Sequence, residues 1–171
     1  MKKVGVNTIN HLRMNYRKEI INKLIPYFTK DSRYHLLVGD MGFGAIDLLK
    51  EKYPERLVNC GIMEQGMVGI AAGMAMSGLI PIVYSIVNFL CFRALEQVRN
   101  DVVLQNLNVK FVGVGCNDYF SFLGKSHTCG QNDVEIFNLI ELEVFDPYKD
   151  IDFDSLINKW ITSEKAGYIR V

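Results

Sequence analysis

Hydrophobic positions recur along the chain at two spacings, and the two alternate. From residue 11 to 28, Leu12, Tyr16, Ile20, Ile21, Leu24 and Tyr27 or Phe28 fall at helical spacing with lysine and arginine between them, which predicts an amphipathic helix. Tyr34-His35-Leu36-Leu37-Val38 reads as a buried strand, followed by the loop Gly39 to Gly44 and a short helix through Leu48, Leu49 and Tyr53. Arg56-Leu57-Val58 is a second, short strand. A helix over 64 to 77, a strand over Ile80 to Ile86, a helix over Phe89 to Leu104 and a strand over Val109 to Val114 continue the alternation. A long glycine-containing loop, Gly115 to Gly130, leads to a helix at Asp133 to Leu139 and a strand at Glu143-Val144-Phe145. After the break at Pro147 come a helix near Asp154 to Thr162 and a closing strand, Gly167 to Val171.

Strands that alternate with helices pair in parallel, because each crossover helix returns the chain to the same end of the sheet. The expectation is a single domain, 1–171, of α/β class: three layers, α/β/α, around a mostly parallel sheet of about six strands. In such sheets ligands lie beyond the carboxyl ends of the strands. The loops after Val38, Val58, Ile86 and Val114 are therefore the places to look for a site. Gly66 to Phe92 contains no charged residue and would trigger a hydropathy window, yet Ser77-Gly78, Pro81, Ser85 and Asn88 divide it into helix, turn and strand.

Charge removes some classes of partner. Lys+Arg and Asp+Glu each number 19 in 171 residues, so the formal net charge is zero and no basic footprint for nucleic acid or an anionic membrane exists. Cys60, Cys91, Cys116 and Cys129 are scattered, with no pair at metal spacing and no disulfide framework. That usage fits a reduced, cytoplasmic setting. Lys2 and Lys3 are followed by no apolar run of the kind a signal peptide carries.

The densest chemistry lies in Asn59 to Gly73. Gly66, Gly69 and Gly73 fall inside one predicted helix, where each glycine costs roughly 1 kcal/mol relative to alanine. Close approach of another backbone or a ligand would offset that. Glu64 stands at the mouth of this helix. An acid there can simply complement the helix dipole and satisfy free amides, but its uncharged sequence neighbours would leave the carboxylate partly desolvated and open to a ligand. Asp40 follows the first strand in Gly39-Asp40-Met41, which lacks the second glycine and the later asparagines of a magnesium-diphosphate motif and reads first as a strand-end turn. His127 sits in a polar loop, either solvated or functional. Phe89 and Phe92 are three apart on a predicted helix, a core spacing by default, yet at a strand's carboxyl end they can stack on a planar ring. Arg93, Glu96, Arg99 and Asp101 read most simply as exposed or interface ion pairs.

Taken in order, several of these motifs resemble one family. Asn59-x-Gly61-Ile62-Met63-Glu64-Gln65 with Met67-Val68-Gly69-Ile70-Ala71-Ala72-Gly73, then Arg93-Ala94-x-Glu96-Gln97-x-Arg99-x-Asp101, Leu107-Asn108-Val109-Lys110, Gly124-x-Ser126-His127 and the ending Tyr168-Ile169-Arg170-Val171 look like the pyrimidine-binding domain of transketolases. The resemblance implies thiamine diphosphate as cofactor, with Glu64 as the carboxylate that hydrogen-bonds ring nitrogen N1′ of the aminopyrimidine. It implies further that Phe89 and Phe92 stack near the pyrimidine, that Asp40 and Ile62 line the cofactor cleft, and that His127 faces the substrate.

Transketolases of this family carry a diphosphate-binding domain and a further domain that 171 residues do not hold. The expectation is therefore a split enzyme. A second, diphosphate-binding polypeptide would hold magnesium, with two copies of each chain in the assembly. The glycines behind Glu64 would pack at the subunit boundary. A β-type subunit of a 2-oxoacid dehydrogenase or decarboxylase, and a non-catalytic scaffold that kept the fold, are the alternatives.

Overall fold

Each strand of the sheet is a short run of aliphatic and aromatic residues whose side chains alternate between two helical layers. The computed structural model describes residues 16–149 and 152–171. Among these, six strands form one sheet: β1 (Tyr34–Val38), β2 (Leu57–Asn59), β3 (Ile80–Ile86), β4 (Lys110–Val114), β5 (Glu143–Phe145) and β6 (Gly167–Arg170). Their order is β2-β1-β3-β4-β6-β5, and every neighbouring pair is parallel. The α/β/α expectation is met.

Alternation along the strands divides the interior into two cores. Leu36, Val38, Ile82, Tyr84, Val112, Val114 and Ile169 face α1 (Tyr16–Lys30), α2 (Asp47–Lys52) and α5 (Phe153–Thr162), which contribute Ile20, Leu24, Leu49 and Trp160 among others. Leu37, Val83, Phe111 and Tyr168 face the opposite way, against α3 (Glu64–Met76) and α4 (Asn132–Leu139). A residue pitch of two on the strands and 3.6 on the helices makes this division automatic. The part of the predicted first helix that carries His11 and Leu12 lies outside the described residues.

The charge-free stretch Gly66 to Phe92 is helix, turn and strand, as its punctuation indicates. Met67, Val68, Ala71 and Ala72 of α3 are buried against the sheet, Gly78 turns with φ of +86°, and β3 runs through the middle of the sheet. No helix among the described residues is long and apolar enough to cross a membrane.

One predicted element is built differently. The helix expected over Phe89 to Leu104 consists of two wide, π-helical turns, Phe89–Arg93 and Val98–Val103, around a single α turn at Leu95–Gln97. The amides of Ala94 and Leu104 reach back five residues, to the carbonyls of Phe89 and Arg99. Such turns concentrate at functional sites.

Two buried polar clusters lock the far side of the sheet. Arg170 donates to both carboxylate oxygens of Asp133 (2.8 and 3.0 Å) and to Asp146 (3.1 Å), while Tyr168 donates to Asp133 at 2.7 Å. Breaking one member of so buried a set leaves an uncompensated charge. At the other end of β4, the fully buried Lys110 donates to the carbonyls of Ser163 (2.7 Å) and Lys165 (2.6 Å), fastening the turn before β6.

Burial pushes the Lys110 ammonium down to about 8, against a smaller opposing pull from Glu143. Its unfolded value is about 10.4, so the unfolded chain binds more protons between the two, and stability rises with pH through that window. The stability difference between the wild type and Lys110→Met, from urea unfolding, should therefore move in favour of the wild type by about 2 kcal/mol from pH 8 to pH 10. A difference that stays flat would show that the buried ammonium keeps its proton. Comparing the two proteins cancels the opposite trend of the thiols, since burial raises Cys91 and Cys116 to about 12 in both.

Candidate active site

The carboxyl ends of β1 and β3 converge on one buried carboxylate. Glu64 is the first residue of α3 and is only 1% exposed. Its oxygens do not cap their own helix. Oε1 accepts from the Ser85 hydroxyl at 2.9 Å, and Oε2 accepts from the Arg93 guanidinium at 2.5 Å. The dipole-and-capping reading is thus not how this side chain is used. Gly39, at the end of β1, completes the surround: a Cβ there would stand 3.4 Å from Glu64 Oε1 and 3.5 Å from Ser85 Oγ.

Arg93 corrects the expectation of an exposed or interface ion pair. Its partner is the buried Glu64, 29 residues earlier in the chain. Residues four apart on a helical segment share a face, and Arg93 lies over Phe89, with its guanidinium carbon 4.2 Å from the ring centroid. Phe89 in turn meets the His127 ring edge-on, with centroids 5.1 Å apart. Glu64, Arg93, Phe89 and His127 therefore form one continuous contact chain.

The same wide turn separates Phe92 from Phe89. A regular helix places residues three apart on one face, whereas here Phe92 is 52% exposed and lines a different hollow of about 580 Å³ with Gln65, Glu96, Arg99 and Leu139. Ile62 is also exposed, at the rim just before α3. Asp40 has left-handed backbone (φ +52°) and exchanges hydrogen bonds with Asn59, which also accepts from the Gly61 amide at 3.0 Å. This closes the loop beside Glu64. The structure thus brings Phe89 and His127 into contact and joins Glu64 to them through Arg93, places Asp40 and Ile62 at the margin, and turns Phe92 outward.

His127 is held from two directions. It ends the turn Lys125–His127, its Nδ1 lies 3.0 Å from the Ser126 hydroxyl, and Asn88 donates to the Ser126 carbonyl at 2.6 Å. Ser85, Asn88 and Gly39 do not stand out in the sequence as site residues. Ser85 and Asn88 are nonetheless the polar interruptions after Ile80 in an otherwise apolar stretch, and that is the signal that could have found them.

The glycines of α3 behave unevenly. A Cβ on Gly66 would collide with the Met63 side chain, so Met63 folds across it. Gly69 and Gly73 face open space, with nothing within 4 Å of an added Cβ. The close backbone approach expected of them does not occur within this chain's described residues.

A buried carboxylate, an aromatic ring and a histidine thus gather at the carboxyl edge of a parallel sheet, the place where such sheets bind ligands. The family model for the transketolase pyrimidine-binding domain matches residues 13–171. The chain belongs to that family. It is similar to a subunit of the apulose-4-phosphate transketolase of Actinobacillus succinogenes, with 32% identity over 121 residues, covering 71% of this chain and 39% of that protein. It is also similar to the 6-deoxy-6-sulfo-D-fructose transketolase subunit SqwH of a Clostridium species, with 29% identity over 157 residues, covering 91% of this chain and 48% of the relative. Among solved structures, a split gene transketolase described as an inactive beta4 tetramer superposes with a TM-score of 0.76 and 26% identity, covering 90% of this chain and 49% of that one. The transketolase domain thus spans less than half the length of these relatives.

Ser85 supplies a donor that the buried Glu64 carboxylate cannot replace from solvent. Ser85→Ala should lower stability by about 1–3 kcal/mol, and its effect should be coupled to that of Glu64→Ala, which removes the acceptor, in a double-mutant cycle of thermal unfolding. Additive losses would show that the 2.9 Å contact contributes nothing of its own.

Proposed function

We propose that this domain is the pyrimidine-binding half of a thiamine-diphosphate-dependent, transketolase-type enzyme that transfers a ketol unit. A second, diphosphate-binding polypeptide would hold the diphosphate and magnesium, with two copies of each chain. The observation that carries the reading is the Glu64 carboxylate, buried yet aimed at the edge where Phe89 offers a ring face. The names of the two split-type relatives and of the split gene structure support a partner subunit.

The residues present fit an aminopyrimidine. Glu64 Oε2 is held by a side chain that is itself 39% exposed, so that oxygen can exchange its partner, while Ser85 keeps Oε1 fixed. Phe89 supplies the stacking face. When bound, the cofactor supplies the nucleophilic carbon that cleaves and forms carbon–carbon bonds next to a carbonyl. The chain's own work is to share a proton at the ring nitrogen through Glu64, to orient the ring, and to keep water from the carboxylate. His127, its Nδ1 engaged by Ser126, presents Nε2 to a substrate oxygen.

The names of both split-type relatives describe sugars that carry an anionic group, a phosphate or a sulfonate. A hollow of about 460 Å³ at the same edge of the sheet is lined by Arg17, Lys18, Phe43, Tyr84 and Phe120, which suits such a group. An anionic ketose is therefore the substrate class this reading favours.

In the complex isolated with its partner, Glu64→Gln should reduce ketol transfer by at least about 100-fold while assembly, read by light scattering, is unchanged. Turnover like the wild type would remove Glu64 from the mechanism. Activity with 2-oxoacid donors but not with ketoses would move the chain to the dehydrogenase and decarboxylase group.

A further inference from the structure

Arg93 makes, within the protein, both contacts that an aminopyrimidine requires. Its guanidinium is planar, donates an in-plane N–H to Glu64 Oε2 at 2.5 Å, and lies with its carbon 4.2 Å from the centroid of Phe89. A heterocycle that hydrogen-bonds that oxygen and stacks on that ring needs the same space. Arg93 and the heterocycle cannot both occupy it.

We propose that Arg93 is a resident stand-in for the aminopyrimidine: a positioning residue that keeps Glu64 paired while the site is empty and leaves when the heterocycle arrives. The proposal rests on the assignment of Glu64 as the cofactor-activating carboxylate. An unpaired charge at 1% exposure is costly, so a chain that must fold before it meets its cofactor gains from an internal cation. Arginine suits the place because its flat, weakly hydrated head stacks as well as pairs. It also has somewhere to go. Its side chain is 39% exposed and borders the hollow that carries Glu96, one turn further along the same helix, whose carboxylate offers an alternative partner.

The exchange is testable on the full chain with thiamine as the probe and NMR as the readout. In the wild type the Arg93 Nη protons should give resolved, slowly exchanging signals that collapse in Glu64→Gln, and thiamine should collapse them in step with its own binding. Arg93→Met should bind thiamine about tenfold more tightly than the wild type, the equivalent of one charge-assisted hydrogen bond no longer broken. Arg93→Lys, which keeps the charge but not the flat fork, should fall between them. Should Arg93→Met not fold, the wild-type titration and the lysine variant decide the matter alone.

Arg93 signals that persist at saturating thiamine, or an Arg93→Met variant that binds thiamine no more tightly or not at all, overturn the proposal. If thiamine binding weakens in Glu64→Gln while the arginine variants match the wild type, the stand-in role alone is wrong. If Glu64→Gln binds thiamine as the wild type does, the assignment of Glu64 falls as well.

Discussion

Burying a carboxylate at the edge of a parallel sheet is the constraint to which the rest of this site answers. Glu64 could stay in water by turning outward from the first turn of α3. Instead it points inward, and the chain meets the desolvation with two donors from different elements. Ser85 belongs to the central strand β3, so its hydroxyl is as fixed as the sheet. Arg93 belongs to an irregular helix and reaches in from the surface. One oxygen is held by a neutral donor on the sheet and the other by a cation whose side chain is partly exposed.

Much of this was legible in the sequence because it depends on local periodicity. The alternation of strands and helices, the division of the uncharged stretch at Ser77-Gly78 and Pro81, and the position of Glu64 at a helix start are properties of neighbouring residues. The partners of Glu64 were not, because they lie 21 and 29 residues away in the chain and meet it only once the chain has folded. Arg93 looked like a surface charge for the same reason. Phe92 was paired with Phe89 by a helical period, and nothing in Phe89-Leu90-Cys91-Phe92-Arg93 announces a turn closed by a five-residue bond. Periodicity arguments fail where hydrogen bonding changes register, and those are often the places where function needs a side chain redirected.

The polar clusters away from Glu64 bear on the site through the long loop. Arg170 binds Asp133 at the start of α4 and also reaches the Gly130 carbonyl, while the Gly130 amide donates to Asp118 at 2.8 Å. The end of the His127 loop is thereby tied to the last strand. Asn88 ties its middle to the end of β3. The His127 loop is thus held by hydrogen bonds from Arg170 on the last strand and from Asn88 just past β3, beside the ring contact of His127 with Phe89. Lys110 performs a similar service at the opposite edge, where it has no bearing on chemistry. It fixes the turn that delivers β6, and with it Arg170, to the sheet.

Helix α3 links the site to the outside of the domain. Its inner face, Met67, Val68, Ala71 and Ala72, is packed in the core, while Gly69, Ile70, Gly73 and Met76 face outward and are exposed. Glycine is a poor choice for a solvated helix face, where alanine would be more stable by roughly 1 kcal/mol at each position. Within the described residues neither Gly69 nor Gly73 has a steric reason to lack a side chain. Two unexplained glycines beside two exposed apolar side chains make sense if another backbone lies against that face, and a partner there would approach the same helix that begins with Glu64. On the reading proposed above, the helix that aims Glu64 into this domain would present its other side to the subunit that completes the site.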